Sequence, residues 1–323
     1  MSTSSRKVVM LIDGMNVAYR CFYAMPQLTN SHGQDVGAVL GFCNVLVRHV
    51  VDSVDVHHAV MVWDTDRGKT HRHRMYPEYK MHRPPMDDSL VSQLPILKDA
   101  CEVFGVAQAL VDEFEADDVI ASLSHIFLSI SDFEIRILSK DKDLAQLLEQ
   151  SKHISLQDPV SGDLFRYDDA KKKYGIVPEK LGDVLALAGD AADNIPGVPG
   201  IGMKTAAKLV EAYGSLEKVY ENIDSISGPK RRERLRESED LVRMSRSLVT
   251  LAETIPGTLV RDGFFHAKSQ ELPDPAASEE GFYVGMSSLP DPKESLAGVL
   301  EFCEANCLWD LKKRSQAKWA AGD

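Results

Sequence analysis

Several things this chain has little of narrow its function. Among 323 residues there are only 5 cysteines, Cys21, Cys43, Cys101, Cys303 and Cys307, an odd number with no Cys-x-x-Cys pair. A disulfide framework and a zinc-thiolate site are therefore excluded, and a reducing, cytoplasmic compartment fits. No apolar run approaches the length of a membrane span, and the polar opening Met1–Lys7 is too short for a signal peptide. Internal repeats of solenoid length are absent. So is the GxxxxGK[ST] spacing of a nucleotide-binding P-loop. Excess positive charge is missing too: 37 basic against 49 acidic residues give a net charge of −12. That balance argues against a nucleic-acid binder unless the charge is unevenly distributed.

It is unevenly distributed. In Glu113–Ala121, the carboxylates Glu115, Asp117 and Asp118 stand within four positions, directly before an apolar run. At about 100° per residue, Glu115 and Asp118 share a helix face. Acids in a first turn ordinarily complement the helix dipole. Acids this close also repel, and burying them is costly unless a cation neutralises them.

The rest of the chain decides between the two. Val8–Ile12, His58–Trp63 and Ile135–Leu138 are continuous apolar runs, the mark of strands buried on both faces. Helical stretches such as Gly37–Val51 and Val91–Phe104 lie between them, so the fold is α/β with a central, mostly parallel sheet flanked by helices. Each strand ends in acid: Asp13, Asp64, and the pair Asp141 and Asp143. One Asp after a strand is ordinarily a turn residue or cap. Three such ends in one sheet lie where α/β folds gather ligands.

Residues 66–83 carry Arg67, Lys69, Arg72, Arg74, Lys80 and Arg83, interleaved with Tyr76 and Tyr79, against only Asp66 and Glu78. Basic residues mixed with aromatics suit a phosphate backbone and exposed bases. From Lys180 an apolar helix runs into Gly189-Asp190 and Asp193-Asn194. Gly197, Gly200 and Gly202 follow, and Lys204-Thr205 and Lys208 open the next helix. This reads as a helix–hairpin–helix whose glycines and free helix N–H groups grip a duplex backbone without reading sequence. Basic residues recur at Lys230, Arg231, Arg232, Arg234 and Arg236. Residues 268–293 read as a loose linker, and Glu294–Lys313 as one amphipathic helix.

These stretches, in this order, resemble the 5′ nuclease family: the 5′ nuclease domain of bacterial DNA polymerase I, phage 5′-exonucleases and flap endonucleases. The match rests on Leu11-Ile12-Asp13-Gly14, Trp63-Asp64, Tyr76-Pro77-Glu78-Tyr79-Lys80, Arg83-Pro84-Pro85, Glu115-Ala116-Asp117-Asp118 and Asp141-Lys142-Asp143-Leu144. It continues through Gly189-Asp190, Asp193–Gly197 and Gly200–Ala206.

The resemblance implies a catalytic domain over 1–175 with a helical arch at about 66–95. It implies a helix–hairpin–helix region over 176–260, and a linker with a helix packing on the body over 261–323. It implies two divalent cations, Mg2+ or Mn2+, held by Asp13, Asp64, Glu115, Asp117, Asp118, Asp141, Asp143, Asp190 and Asp193. Lys80 and Arg83 would meet the scissile phosphate. Arg72, Tyr79, Gly197, Gly200, Gly202, Lys204, Thr205 and Lys208 would bind DNA, with a potassium ion in the hairpin. The implied activity is that of a stand-alone, monomeric 5′-3′ exonuclease and flap endonuclease acting on DNA flaps, junctions and 5′ ends, with a polymerase in a separate chain. The alternatives are a catalytically silent junction binder and a related RNase. Two positions depart from the family pattern: Lys140 where a glycine is common, and Met15 where a small residue is usual. A cation at Lys140 would crowd the second metal or substitute for part of its charge.

Overall fold

The computed structural model describes residues 6–66, 68–130, 133–150, 153–255, 258–259, 282–283, 292–308, 311–313 and 315–316. Six strands form one sheet: β1 (Val8–Asp13), β2 (Val56–Val62), β3 (Ala107–Ala109), β4 (Glu134–Leu138), β5 (Ile154–Gln157) and β6 (Leu164–Phe165). Their spatial order is β3-β2-β1-β4-β5-β6, parallel throughout except for β6, which returns antiparallel to β5. β1 lies at the centre, buried at every position.

Successive side chains of a strand point to opposite faces, and β1 supplies both cores. Val9 and Leu11 face one layer; Val8, Met10 and Ile12 face the other. On the second face pack α1 (Gly14–Ala24), α2 (Gly37–Leu46, continued as one π turn through Val51) and α4 (Asp88–Val103, capped by Asp87). Among the described residues, the only helix between β2 and α4 is the five-residue α3 (His71–Met75). On the first face packs α5 (Ala116–Ile130), with Ile120, Leu123 and Phe127 fully buried.

A helical layer continues the first core. It comprises α6 (Tyr167–Tyr174), α7 (Leu181–Ala188), α8 (Met203–Tyr213), α9 (Leu216–Glu221), α10 (Pro229–Glu237) and α11 (Glu239–Val249). A last helix, α12 (Pro292–Ala305), buries Val299, Phe302 and Cys303 in the second core. It ends eight residues short of the expected Lys313. Cys307 takes a left-handed conformation (φ 58°), and the Leu308 amide turns back to the Cys303 carbonyl at 2.7 Å. Most of the expected 268–293 linker lies outside the described residues. All five cysteines are free, and no described helix is long and apolar enough to cross a membrane.

Short β3, β5 and β6 were not expected from the sequence, because runs of two to four residues show no periodicity. They widen the sheet on both sides without moving its centre. The carboxyl ends of β1, β2 and β4 therefore open on one edge, beside the start of α5.

Candidate metal centre and nucleic-acid interface

Asp13 closes β1 and also caps α1: one carboxylate oxygen accepts from the Asn16 amide at 3.0 Å, the other from Ser139 Oγ at 2.8 Å. Asp64, just past β2, accepts from the amide of Ala116, the first residue of α5, at 2.9 Å. For Asp13 the capping reading is thus literally correct, and it is how its carboxylate is aimed. Past β4, Ser139 Oγ receives the Asp141 amide at 3.0 Å, and Asp141 receives the Asp143 amide at 2.9 Å. These short links lock strand ends and helix start into one acidic edge.

Among the described residues Asp13, Asp64, Asp117 and Asp143 have no cationic hydrogen-bond partner, and their raised pKa values record it. Burial, then the charge of Asp64, pushes Asp13 up to about 7. Burial, then Asp141, does the same to Asp143, also to about 7. Asp117 is raised well above the carboxylate range by burial and by the neighbouring Asp141 and Asp13. Asp64 is raised by burial, although the Ala116 amide and Lys80 oppose the shift. Its carboxylate reaches solvent, but from a concave seat crowded by protein atoms.

A second group lies alongside. Single carboxylate oxygens of Asp143, Asp190 and Asp193 fall within 4.8 Å of one another. Asp190 follows α7 through Gly189 and holds the Ala192 amide at 2.9 Å. Lys142 reaches Asp190 at 2.5 Å, Arg83 pairs with Asp193, and Lys80 stands 3.9 Å from Asp193. One oxygen of Asp143 is buried with no hydrogen-bond partner. An orphaned carboxylate oxygen inside an acidic triad fits a missing cation, and all-oxygen donors without Cys or His suit a hard divalent ion.

Glu115 and Asp118 behave differently. Arg72, 2 % exposed, forks onto both oxygens of Asp118, which is fully buried. The same guanidinium donates to Glu115 at 3.2 Å and to the carbonyls of Leu248 and Thr250 at 2.7 and 2.9 Å. Asp118 also takes the Ala252 amide at 3.0 Å. Burial alone would raise Asp118, yet the Arg72 hydrogen bonds hold it below the usual range. Glu115 accepts from Lys80 at 2.8 Å and from Tyr79 Oη at 2.9 Å. Despite burial, Lys80 and Arg72 hold its pKa below the usual range. In return, Glu115 overcomes the burial that would lower Lys80 and raises it above an ordinary lysine.

The structure therefore corrects three expectations. Arg72 and Tyr79 are buried at 2 % and 3 %, so neither presents a surface to DNA. Both oxygens of Asp118 accept from Arg72 and from the Glu115 and Ala252 amides, so its lone pairs are already used. Gly197, expected at a ligand, is needed for internal packing. A Cβ there would come within 2.4 Å of the Ala188 and Gly189 backbone, and Gly189 itself has φ 70°.

Lys140 does not crowd the acids either; it pairs with Asp158 of the β5–β6 hairpin at 2.6 Å. Gly200 (φ 78°) and Gly202 are exposed, with open space beside Gly202 and exposed Lys204 and Lys208 on the helix that follows; Thr205 is half-buried. Arg83 is half-exposed, and Lys80 lies between Glu115 and Asp193 in a left-handed conformation (φ 54°). Its amide bonds the Asp193 carbonyl at 2.9 Å, and Asn194 Nδ2 bonds the Glu78 carbonyl at 2.8 Å. The basic segment is thus stitched to the second triad. Ser139, Asn16 and Lys142 were missed as site-shaping residues; their positions beside the acidic strand ends were the available signal.

Residues 8–175 match the family model of the 5′-3′ exonuclease N-terminal resolvase-like domain, and residues 176–270 that of its C-terminal SAM fold. DNA polymerase I of Bacillus subtilis is 37 % identical over 256 residues, covering 78 % of this chain and 29 % of that protein. The chain spans about a third or less of the length of such polymerase relatives. A protein named 5′-3′ exonuclease from Aquifex aeolicus is 37 % identical over 216 residues, covering 67 % of this chain and 73 % of its own. Among solved structures, the T5 5′-exonuclease with bound zinc superposes with a TM-score of 0.63 at 21 % identity, over 76 % of this chain and 90 % of that one. The catalytic core of Rad2 with a DNA substrate gives 0.56 at 14 % identity, over 97 % and 92 %. These two likenesses establish the fold alone.

Proposed function

The chain belongs to the 5′-3′ exonuclease family, and from that premise we propose that it hydrolyses DNA phosphodiester bonds near 5′ ends and at single-strand–duplex junctions, using divalent cations. The observation that carries this is the crowd of carboxylates with raised pKa values and, among the described residues, no cationic hydrogen-bond partner, Asp13, Asp64, Asp117 and Asp143, at one sheet edge. A protein that only bound junctions would gain nothing from this electrostatic cost beside a polyanion.

Asp13, Asp64, Asp117 and Asp141 would hold one cation, and Asp143, Asp190 and Asp193 a second. Their oxygen-only chemistry favours Mg2+ or Mn2+. Bound there, the cations supply Lewis-acid charge to a phosphate and lower the pKa of a water. The chain's own residues do the rest. Ser139 and the Asn16 and Ala116 amides fix the directions of Asp13 and Asp64. Lys80 and Arg83, already on this edge, add positive charge where the phosphate would become more negative. Glu115 keeps Lys80 charged and in place. Exposed Gly200, Gly202, Lys204 and Lys208 would receive the duplex backbone, with Thr205 beside them; a potassium ion in that loop would be read from K+ against Na+ dependence of binding. A monomer acting in the cytoplasm beside a polymerase completes the proposal.

The test is one cleavage assay with matched DNA and RNA 5′ flaps in Mg2+ and in EDTA. DNA-flap cleavage abolished by EDTA is expected. DNA binding without cleavage would replace this reading by a silent binder, and preferred cleavage of the RNA flap by an RNase.

A further inference from the structure

α10 carries five basic residues, Lys230, Arg231, Arg232, Arg234 and Arg236, against Glu233 and Glu237, in a chain whose net charge is −12. Its first turn contains no acid. Among the described residues, only Arg236 has a carboxylate partner, Asp224. The three other arginines are oriented by neutral carbonyls: Arg231 by Ser227 at 3.1 Å, Arg232 by Ile226 at 2.8 Å and Arg234 by Pro199 at 3.2 Å. A carbonyl fixes a guanidinium without cancelling its charge. Lys230, Arg234 and Arg236 are exposed.

The Arg234 contact also locates the patch. Pro199 and Gly200 belong to the glycine hairpin, and an added Cβ at Gly200 would meet Arg234 Nη1 at 2.5 Å. The same hairpin packs through Gly197 onto Gly189, directly before Asp190. Acidic triad, hairpin and α10 therefore follow one another across the surface. α10 repeats the hairpin's design in small: buried Ile226, then Gly228 at φ 94°, then a helix opening with Pro229-Lys230. The hairpin has buried Ile201, then Gly202, then Lys204.

We propose that α10 is a second phosphate-backbone contact that continues the duplex track beyond the hairpin, so that it engages only substrates whose duplex arm extends past Gly200–Lys208. This rests on the nuclease reading for the direction in which the arm leaves the acidic edge. The helix is nine residues, about 13 Å, enough to follow roughly four base pairs of backbone.

The test compares Lys230→Ala/Arg231→Ala with the parent by fluorescence anisotropy in EDTA, on flaps whose duplex arm is shortened stepwise, over a range of salt. On long arms the variant should bind about ten-fold more weakly, and its salt dependence should be shallower by about two in log–log slope. On arms too short to reach α10 the two proteins should bind alike. Lys230→Arg/Arg231→Lys should restore long-arm binding, which separates charge from misfolding. Equal weakening on every arm length, or no change in the long-arm slope, would overturn the proposal. Cleavage by the parent is read separately in Mg2+. A parent that binds but never cuts would remove the nuclease reading and leave the arm-length comparison standing.

Discussion

Two halves of one acidic site, adjacent in space and meeting in sequence at Asp117 and Asp118, have opposite electrostatics. Glu115 and Asp118 are buried and held by Arg72, Lys80 and Tyr79, and their pKa values lie below the usual range. Asp13 is buried and Asp117 and Asp143 half-buried, but they face one another, and their pKa values are raised. Burial is common to both; only the counter-charge differs. The first half is a finished structural joint tying α3 and the chain after α11 to the start of α5. The second lacks such counter-charge, and in the proposed function it is the half that holds the cations and does the chemistry.

The comparison breaks most visibly in function. Asp117→Asn should lower single-turnover flap cleavage by roughly a thousand-fold, since several kcal/mol of charge stabilisation go with it. It should retain DNA binding and melt no lower than the parent in EDTA. Arg72→Ala should do the reverse to the fold, costing about 3–5 kcal/mol in denaturant unfolding because Asp118 is left buried and unpaired. Asp118→Asn in that background should recover part of the loss.

pH sharpens the contrast further. Asp13 and Asp143 rise from 3.8 to about 7 on folding, so the native state holds protons that the unfolded chain has released. Metal-free stability should therefore be greatest below about 4 in this contribution, decline as pH rises through about 7, and then level off. Glu115 and Asp118 act oppositely: their contribution is present above the ordinary carboxylate range and lost in stronger acid. Urea melts at pH 5 and pH 8 in EDTA, repeated with Mg2+, read the first effect. The cation should remove the decline, and an unchanged slope would contradict it. The smallest effect belongs to Lys140→Ala. Its exposed pair with Asp158 contributes at most about 1 kcal/mol, and the Mg2+ dependence of cleavage should not move.

The finished half was hard to read in the sequence and the unfinished half easy, for a physical reason. Continuous apolar runs ending in Asp expose both the buried strands and the edge where their acids gather. The helical spacing of Glu115 and Asp118 correctly put them on one face. What that face meets was hidden, because Arg72 lies 46 residues before Asp118, inside a basic run that reads as a DNA surface. Charge along a five-residue helix does not say which side turns inward. Gly197 was hidden similarly: a glycine that admits a ligand and one that admits another backbone look the same in sequence.

The central claim is that a divalent cation completes the unfinished half. Calorimetric titration of Mn2+ into the protein near pH 7, in two buffers of different ionisation enthalpy, tests it directly. Binding should release protons, because Asp13 and Asp143 must give theirs up, and the release should shrink in Asp13→Asn and Asp143→Asn while Lys140→Ala leaves it intact. Binding without proton release, or release unaltered in both aspartate variants, would contradict the claim.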